Sequence, residues 1–413
     1  MRYTPDIGTL FATRIVRLFA YGFLSVVLAL YLAEAGMSEG QIGLLFTLTL
    51  AGDAAISLWL TTSADRFGRR RTLMAGALLM VAAGIVFALT RSPILLSVAA
   101  IIGVLSPSGN EIGPFLSVEQ AGLTQLVADH RRTQTFAWYN LSGSFATATG
   151  ALAGGALAQT LQGAGLSAFD SYRTVVAGYA LGGLVLLALF MGLSSAVEVP
   201  ASAIQHGARR TLGLHRSRGV VFRLSALFAL DAFAGGLIVQ SMLAYWFHVR
   251  FEVEAGMIGR IFFGANILAG ASALLAGSLA RRIGLINTMV FTHIPSNVLL
   301  MLVPLMPSPP LAIGMLLLRF SISQMDVPTR QSYTIAVVAP DERSAASGVT
   351  AIARSVGAAL SPSLTGVLLG VPALLSIPFF LCGGLKIIYD LLLYRSFRRL
   401  RPPEERAAGA QDR

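Results

Sequence analysis

The sequence predicts an all-α integral membrane protein, with twelve transmembrane helices in two six-helix pseudo-symmetric bundles. Three observations carry this. Of the 413 residues 55% are hydrophobic and only 12% charged, about half the charged fraction of a soluble chain, and the mean hydropathy is +0.70. The arginines gather in short runs between long apolar stretches. The second half of the chain repeats the first.

A helix needs about 20 apolar residues to cross the ~30 Å hydrocarbon core. Apolar runs bounded by turn signals give six spans in the first half, at 9–34, 41–62, 72–90, 94–127, 135–158 and 172–194. Six more follow at 220–247, 257–279, 288–306, 311–338, 345–370 and 373–395. The expected organisation is an N-terminal bundle over 1–196, a cytoplasmic linker over 197–219, a C-terminal bundle over 220–396 and a cytoplasmic, disordered tail over 397–413.

The run Thr61 to Met74, TTSADRFGRRRTLM, orients the whole chain. Charge this dense does not enter the membrane cheaply, and Arg66, Arg69, Arg70 and Arg71 place the loop between spans 2 and 3 in the cytoplasm. Arg131 and Arg132, Arg209 and Arg210, Arg216 and Arg218, Arg281 and Arg282, and Arg395, Arg398 and Arg399 then fall on the same side. Only Arg91, Arg173 and Arg250 lie near the other face, and both termini are cytoplasmic. Arg14 and Arg17 interrupt the first apolar stretch and no small-residue cleavage site follows it, so the first span is expected to stay in the protein.

Several function classes are excluded by what is missing. The net charge of +11 sits in loops rather than in one basic cluster with interleaved aromatics, which argues against nucleic acid. Cys382 is the single cysteine, so neither an internal disulfide nor a cysteine metal site is available. There is no nucleotide-binding loop, metal cluster or nucleophile with a base, so neither an enzyme nor a cofactor is expected.

The repeat is explicit. Gly277 to Met289, GSLARRIGLINTM, mirrors the loop at 61–74 at an offset of 216, placing Gly68 on Gly284, Thr72 on Thr288 and Asp65 on Arg281. The same offset puts Ile42 and Gly43 on Ile258 and Gly259, and ADHRRT from Ala128 resembles PDERS from Pro340 at an offset of 212. Such parallel repeats are a way of building transporters.

Ala64, Asp65, Arg66, Gly68, Arg69 and Arg70 resemble the G-x-L-A-D-R-x-G-R-K/R loop of the major facilitator superfamily, with Thr61 and Ser63 where the family has Gly and Leu. The resemblance covers nearly the whole chain through the six-plus-six repeat. It implies a conformational latch at Asp65, Arg66, Gly68, Arg69 and Arg70. In span 5, Gly143, Gly150, Gly154 and Gly155 resemble the family's antiporter-type glycines ending in G-P-x-x-G-G, with Ala151 in place of the proline. Small residues at this spacing also serve close helix packing, and both readings stand. The arginine that family members often carry early in helix 4 is absent, since Ala99 and Gly103 occupy that pattern. Arg319 in span 10 is the nearest analogue.

Ionisable residues inside spans mark cavities or partners. An offset of 214 aligns Arg17 with Asp231 and Tyr31 with Tyr245; the arginine and aspartate either pair or separately take an anion and a proton, unless Arg17 snorkels to the interface, where Arg14 is expected. Span 4 is too long for one straight crossing and contains SPSGNEIGP, Ser106 to Pro114, so a break is expected there, with Asn110 and Glu111 inside it. Glu119 and Gln120 align with Arg330 and Gln331 at an offset of 211, and span 10 adds Arg319, Gln324, Asp326 and Pro328. The alternative for both spans is an early end in cytoplasmic water. Asp53 has no obvious partner, Arg354 lies in span 11, and Lys386 with Asp390 is an i, i+4 pair of structural kind. Trp246 is expected at the headgroup level and His293 in packing.

The substrate and proton pathway is therefore expected among Arg17, Asp231, Glu111, Asn110, Glu119, Asp326, Arg330, Arg319, Gln324 and Asp53. Taken with the resemblance, this implies a monomeric secondary transporter exporting a small molecule by alternating access and proton coupling. Its partners are the substrate, protons and the lipid bilayer. The excess of arginine over the sole lysine, Lys386, points to a bacterial inner membrane. The alternatives are a proton-coupled importer of a nutrient or metal chelate, and a membrane sensor that keeps the fold without transporting.

Overall fold

The computed structural model describes residues 5–111, 113–198, 214–339, 342–398 and 400. Helices account for nearly all of them, and there is no strand among the described residues. The first bundle's spans are α1 (Pro5–Ser25) with α2 (Leu28–Glu34), α3 (Glu39–Phe67), α4 (Arg69–Leu89), α5 (Pro93–Ile102) with α6 (Phe115–Leu126), α7 (Asp129–Gly163) and α8 (Ala168–Met191). The second set runs α9 (Arg218–Gly236) with α10 (Gln240–Phe251), α11 (Ala255–Ile283), α12 (Leu285–Leu302), α13 (Pro309–Phe320) with α14 (Asp326–Ala336), α15 (Arg343–Leu360) with α16 (Pro362–Leu369), and α17 (Ile377–Phe397).

All twelve expected spans are present, and five of them are interrupted. The break in span 4 falls where Pro107, Gly109, Gly113 and Pro114 stand, Gly109 and Gly113 taking φ of +68° and +80°. Span 10 restarts at Asp326, because Pro328 in the first turn of α14 cannot donate back to the preceding segment. Span 11 restarts at Pro362 for the same reason. The sequence predicts a break in span 4 alone, so the interruptions of spans 1, 7, 10 and 11 are corrections: in the first two, α1 ends at Ser25, and α9 ends on the pair Gly235 and Gly236 before Gln240 opens α10.

Two compact units form. One comprises Met1–Ala208 with Val239–Asn266, the other Arg209–Ile238 with Ile267–Arg413. Each contains the same corner. In the first unit Gly68 at φ +98° links α3 to α4, and the Thr72 hydroxyl donates to its carbonyl at 3.0 Å. In the second, Gly284 at φ +87° links α11 to α12, and Thr288 donates likewise at 2.8 Å. The offset of 216 between these residues is thus a repeat of structure as well as of sequence.

Close helix contact recurs in both units. A methyl group placed on Gly22, Gly150 or Gly154 would lie 2.1 Å from the carbonyl oxygen of Thr147, Phe19 or Phe23, so α1 and α7 touch backbone to backbone. In the second unit α9 meets α15 in the same way, a methyl on Gly357 lying 2.3 Å from the Ala229 carbonyl. Beside that contact Leu224, Phe228, Met289, Tyr333, Tyr389 and Leu393 make an apolar cluster.

Candidate functional site

In the first unit the break in span 4 is turned toward α1. Arg17 is fully buried and places Nη1 and Nη2 each 2.7 Å from the Glu119 carboxylate, while its Nε donates to Glu111 Oε1 at 2.7 Å. Arg14, one turn earlier, donates to Glu111 Oε2 at 2.9 Å and to Asn140 Oδ1 at 3.2 Å. Glu119 also accepts from the Thr13 hydroxyl at 2.8 Å and from the Tyr139 hydroxyl. Two guanidinium groups thus face two carboxylates. The rings of Phe115 and Tyr139 cover them, the Arg17 guanidinium carbon lying 4.7 Å from the first and that of Arg14 4.3 Å from the second.

The two acids differ in one respect. Glu119 has 0% side-chain exposure and a full set of donors, whereas Glu111 is 15% exposed and among the described residues is held by the two arginines. Asp53 closes the far edge of the break, accepting from the Gly113 amide at 2.8 Å and from the Ser57 hydroxyl at 3.2 Å. The Asn110 carbonyl accepts from Ser106 Oγ at 2.8 Å, and its side chain is exposed.

In the second unit Asp231 collects three cations: Lys386 Nζ at 2.5 Å, Arg354 Nη1 at 3.0 Å and Arg330 Nη1 at 3.3 Å. Arg330 also holds Asp326 at 2.7 Å, one turn away on the same helix. Asp390 turns to His293, whose Nδ1 is 2.9 Å from Oδ1, and to Asn297 Nδ2 at 3.3 Å. Gln324 is tied through its backbone amide to Ser272 Oγ at 3.2 Å. Arg319, at the end of α13, has no hydrogen-bonded or ionic partner among the described residues, and its Nε is buried.

The structure revises several sequence expectations. Arg17 and Asp231 each find their partners inside their own unit, and Arg17 does not snorkel. Arg14 is buried rather than interfacial. Lys386 and Asp390 do not pair with each other; each makes a bond to another helix. Trp246 is only 1% exposed, packed between Phe247 and Phe251, whereas His293 keeps its expected place in hydrogen-bonded packing, its partner being the buried Asp390. Asp53 gains its partner from the irregular backbone of span 4, which periodicity does not reveal.

At the corner between α3 and α4 Glu198 accepts from the backbone amides of Arg69 at 2.7 Å and Arg70 at 3.1 Å, the first turn of α4. A carboxylate there offsets the free donors and positive end of the helix. The Arg69 guanidinium reaches Gln125 and the Val197 carbonyl, and that of Arg70 the Met191 carbonyl. The side chains of Asp65 and Arg66 lie outside the described residues, as do 199–213 of the expected linker and 401–413 of the expected tail. In span 5, Gly143, Gly150 and Gly154 receive α1, whereas Gly155 receives α11, its added methyl lying 2.3 Å from the Ala255 carbonyl. Sequence reasoning missed Thr13, Tyr139 and Glu198, of which only Glu198 carries a signal, as an acid in a basic linker.

The family model described as Major Facilitator Superfamily matches residues 10–362. The uncharacterized membrane protein YJR124C of Saccharomyces cerevisiae is 30% identical over 417 residues, covering 94% of this chain and 93% of its own. Among solved structures, the nucleoside transporter NupG superposes with a TM-score of 0.72 at 14% identity, covering 95% of this chain and 99% of that one. The D-xylose-proton symporter gives 0.71 at 15% identity, with 95% and 98% covered. At such identities these two likenesses show the fold.

Proposed function

Since the chain belongs to the major facilitator superfamily, and is a multi-pass membrane protein on its apolar helices, we propose that it is a proton-coupled secondary transporter of a small solute, working by alternating access. The observation that carries the coupling is the position of Glu111. A proton carrier must be reachable from water, and its protonation must change what the site binds. Glu111 sits in a helix break, is 15% exposed, and bridges Arg14 and Arg17. Protonated, it releases Arg14 from its one carboxylate among the described residues, while Arg17 keeps Glu119. The freed guanidinium then attracts a neutral hydrogen-bond acceptor of the solute, so proton and solute bind together.

In this reading Glu119, Asp231, Asp326 and Arg330 hold the helices in place, and Asp53 and Asn110 shape the break that exposes Glu111. Gly68, Arg69 and Arg70, with Asp65 and Arg66, form the cytoplasmic latch. Binding proton and solute together is cotransport, the mode named for the D-xylose-proton symporter, and with an inward proton gradient it favours uptake. A second reading, export, is favoured by the antiporter-like glycines Gly143, Gly150, Gly154 and Gly155. The protein is taken to act as a monomer in a bacterial inner membrane with both termini cytoplasmic.

The test is reconstitution of purified protein in proteoliposomes with an internal pH reporter, followed by addition of polar solutes with and without an imposed pH gradient. Solute-evoked proton movement is expected from the native protein. It is expected to vanish in Glu111→Gln while solute exchange without net proton flow persists. Proton movement surviving unchanged in Glu111→Gln overturns the coupling assignment, and the sign of the movement distinguishes uptake from export.

A further inference from the structure

The two breaks that the repeat makes equivalent, in span 4 and in span 10, are finished differently. In span 4 the buried polar groups among the described residues are satisfied from within the first unit. Ser106 donates to the Asn110 carbonyl at 2.8 Å, Asp53 accepts from Gly113 at 2.8 Å, and Ser241 donates to the Pro107 carbonyl through its hydroxyl at 2.7 Å and its amide at 2.9 Å. In span 10 the corresponding residues are left with unused groups. Arg319 Nε is buried without a hydrogen bond, and so is Ser323 Oγ, on a residue only 5% exposed. Gln324 uses its backbone amide on Ser272, and its carboxamide has no partner among the described residues.

These groups have one chemistry in common. A guanidinium donates only, and a hydroxyl and a carboxamide both have N–H or O–H to give. The nearest candidate to neutralise Arg319 is Asp326, seven residues on, but its carboxylate is committed to Arg330 at 2.7 Å. The interior charges of the second unit agree. Arg330, Arg354 and Lys386 are all bound to Asp231 or Asp326, and Asp390 is bound to His293, which leaves Arg319 as the cation without an acid among the described residues. Buried polar groups are nearly always paired, and an exception calls for an explanation. Discontinuous helices at membrane depth are where transporters hold their solutes.

The geometry points to the break in span 10 as a binding site for the anionic group of the solute, a carboxylate or phosphate held by Arg319 with Ser323 and Gln324. This inference rests on the transporter reading for its purpose, since an anion held here would be the cargo. It does not rest on that reading for its geometry. Arg319 fixes the charge of the ligand, and the hydroxyl and carboxamide complete its hydrogen bonds.

Binding and transport are therefore measured separately. Thermal unfolding of the purified full chain in detergent is followed against increasing benzoate, succinate, glucuronate or glycerol phosphate. Benzamide, succinamide, glucose and glycerol serve as uncharged matches, and sodium chloride controls for ionic strength. At least one anion is expected to stabilise the native protein well beyond its neutral match. Loss of one charge-assisted contact predicts that Arg319→Gln binds it roughly tenfold or more weakly. Arg319→Lys, which keeps the charge, and Ser323→Ala, which removes one donor, are expected to weaken it less, and they keep the test open if Arg319→Gln does not fold. Equal stabilisation by neutral matches, no response of the native protein to any of the four anions, or an undiminished response in all three variants each overturns the site. Anion binding with no solute-driven proton movement in vesicles keeps the site and rejects the transporter reading. Proton movement driven by neutral solutes alone does the reverse.

Discussion

Arg17 and Glu119 meet through two parallel N–H···O bonds, both 2.7 Å, with no solvent exposure on either side chain. The planar fork of the guanidinium fits the carboxylate, and Thr13 and Tyr139 fill the remaining acceptor positions. Such a pair is costly to break from one side, because the buried Arg17 then has only a share of Glu111, which Arg14 also holds, to balance its charge. Glu119→Leu is expected to destabilise the protein by about 3–5 kcal/mol. The double variant Arg17→Met with Glu119→Leu should recover much of that loss. Melting in detergent of both variants checks the ordering, and equal loss in the two would show that the pair is already solvated.

Asp231 presents the opposite case, one carboxylate serving Lys386, Arg354 and Arg330. Asp231→Asn is expected to lower folded yield sharply, since Lys386 then keeps a buried charge without a counter-ion, at a cost of roughly 3–5 kcal/mol. Adding Lys386→Met should restore part of the yield, because Arg330 retains Asp326 and Arg354 is partly exposed. Size-exclusion profiles of the single and double variants measure this, and no rescue would mean that Asp231 matters through something other than its charge.

The glycines of α7 give a graded prediction. Gly150→Ala and Gly154→Ala each force a methyl to 2.1 Å from a carbonyl oxygen of α1, so the helices must separate. Overpacking of this kind costs about 1–3 kcal/mol. Gly8→Ala, in α1 with nothing within 4 Å of the added methyl, is expected to stabilise instead, by roughly 0.4–1 kcal/mol through the unfolded chain. The three melting temperatures, compared with the native one, test whether close packing alone explains these positions.

The spans, their repeat and the break in span 4 were legible because they depend on composition and on residues with few backbone choices. Gly68 and Gly284 are visible as turns, and Pro107 and Pro114 as helix breakers. Span 7, by contrast, breaks after Gly235 and Gly236 without a proline, and span 1 at Ser25, a turn beyond Gly22; glycines within an apolar run serve close packing as often as an end, so these ends did not stand out. Side-chain partners were the least legible. Lys386 and Asp390 are spaced to pair on one helix, yet an i, i+4 pair is worth only a few tenths of a kcal/mol. Both are drawn to other helices, where Asp231 and His293 offer buried partners. Arg17 and Asp231 align in the repeat, but alignment fixes matching positions and says nothing of what lies beside each.

The loop ahead of α15 carries a pH prediction that lies outside the spans. Glu342 is buried, which alone would raise its carboxyl, but the amides of His215, Arg216 and Ser217 and the Ser217 hydroxyl all donate to it and hold it down to about 2. These are the free donors just ahead of α9, so the carboxylate fastens the end of the linker to the second unit. With the folded value below the ordinary 4.5, the contact contributes its full stability above pH 4.5 and loses it as the pH falls toward about 2. Amide exchange at 215–217 is expected to be slow at neutral pH and to accelerate, beyond the intrinsic rate, only over that acid range. Glu342→Gln should show the fast behaviour at every pH. If the variant protects these amides as well as the native chain does at pH 7, the carboxylate charge is not what fastens the linker.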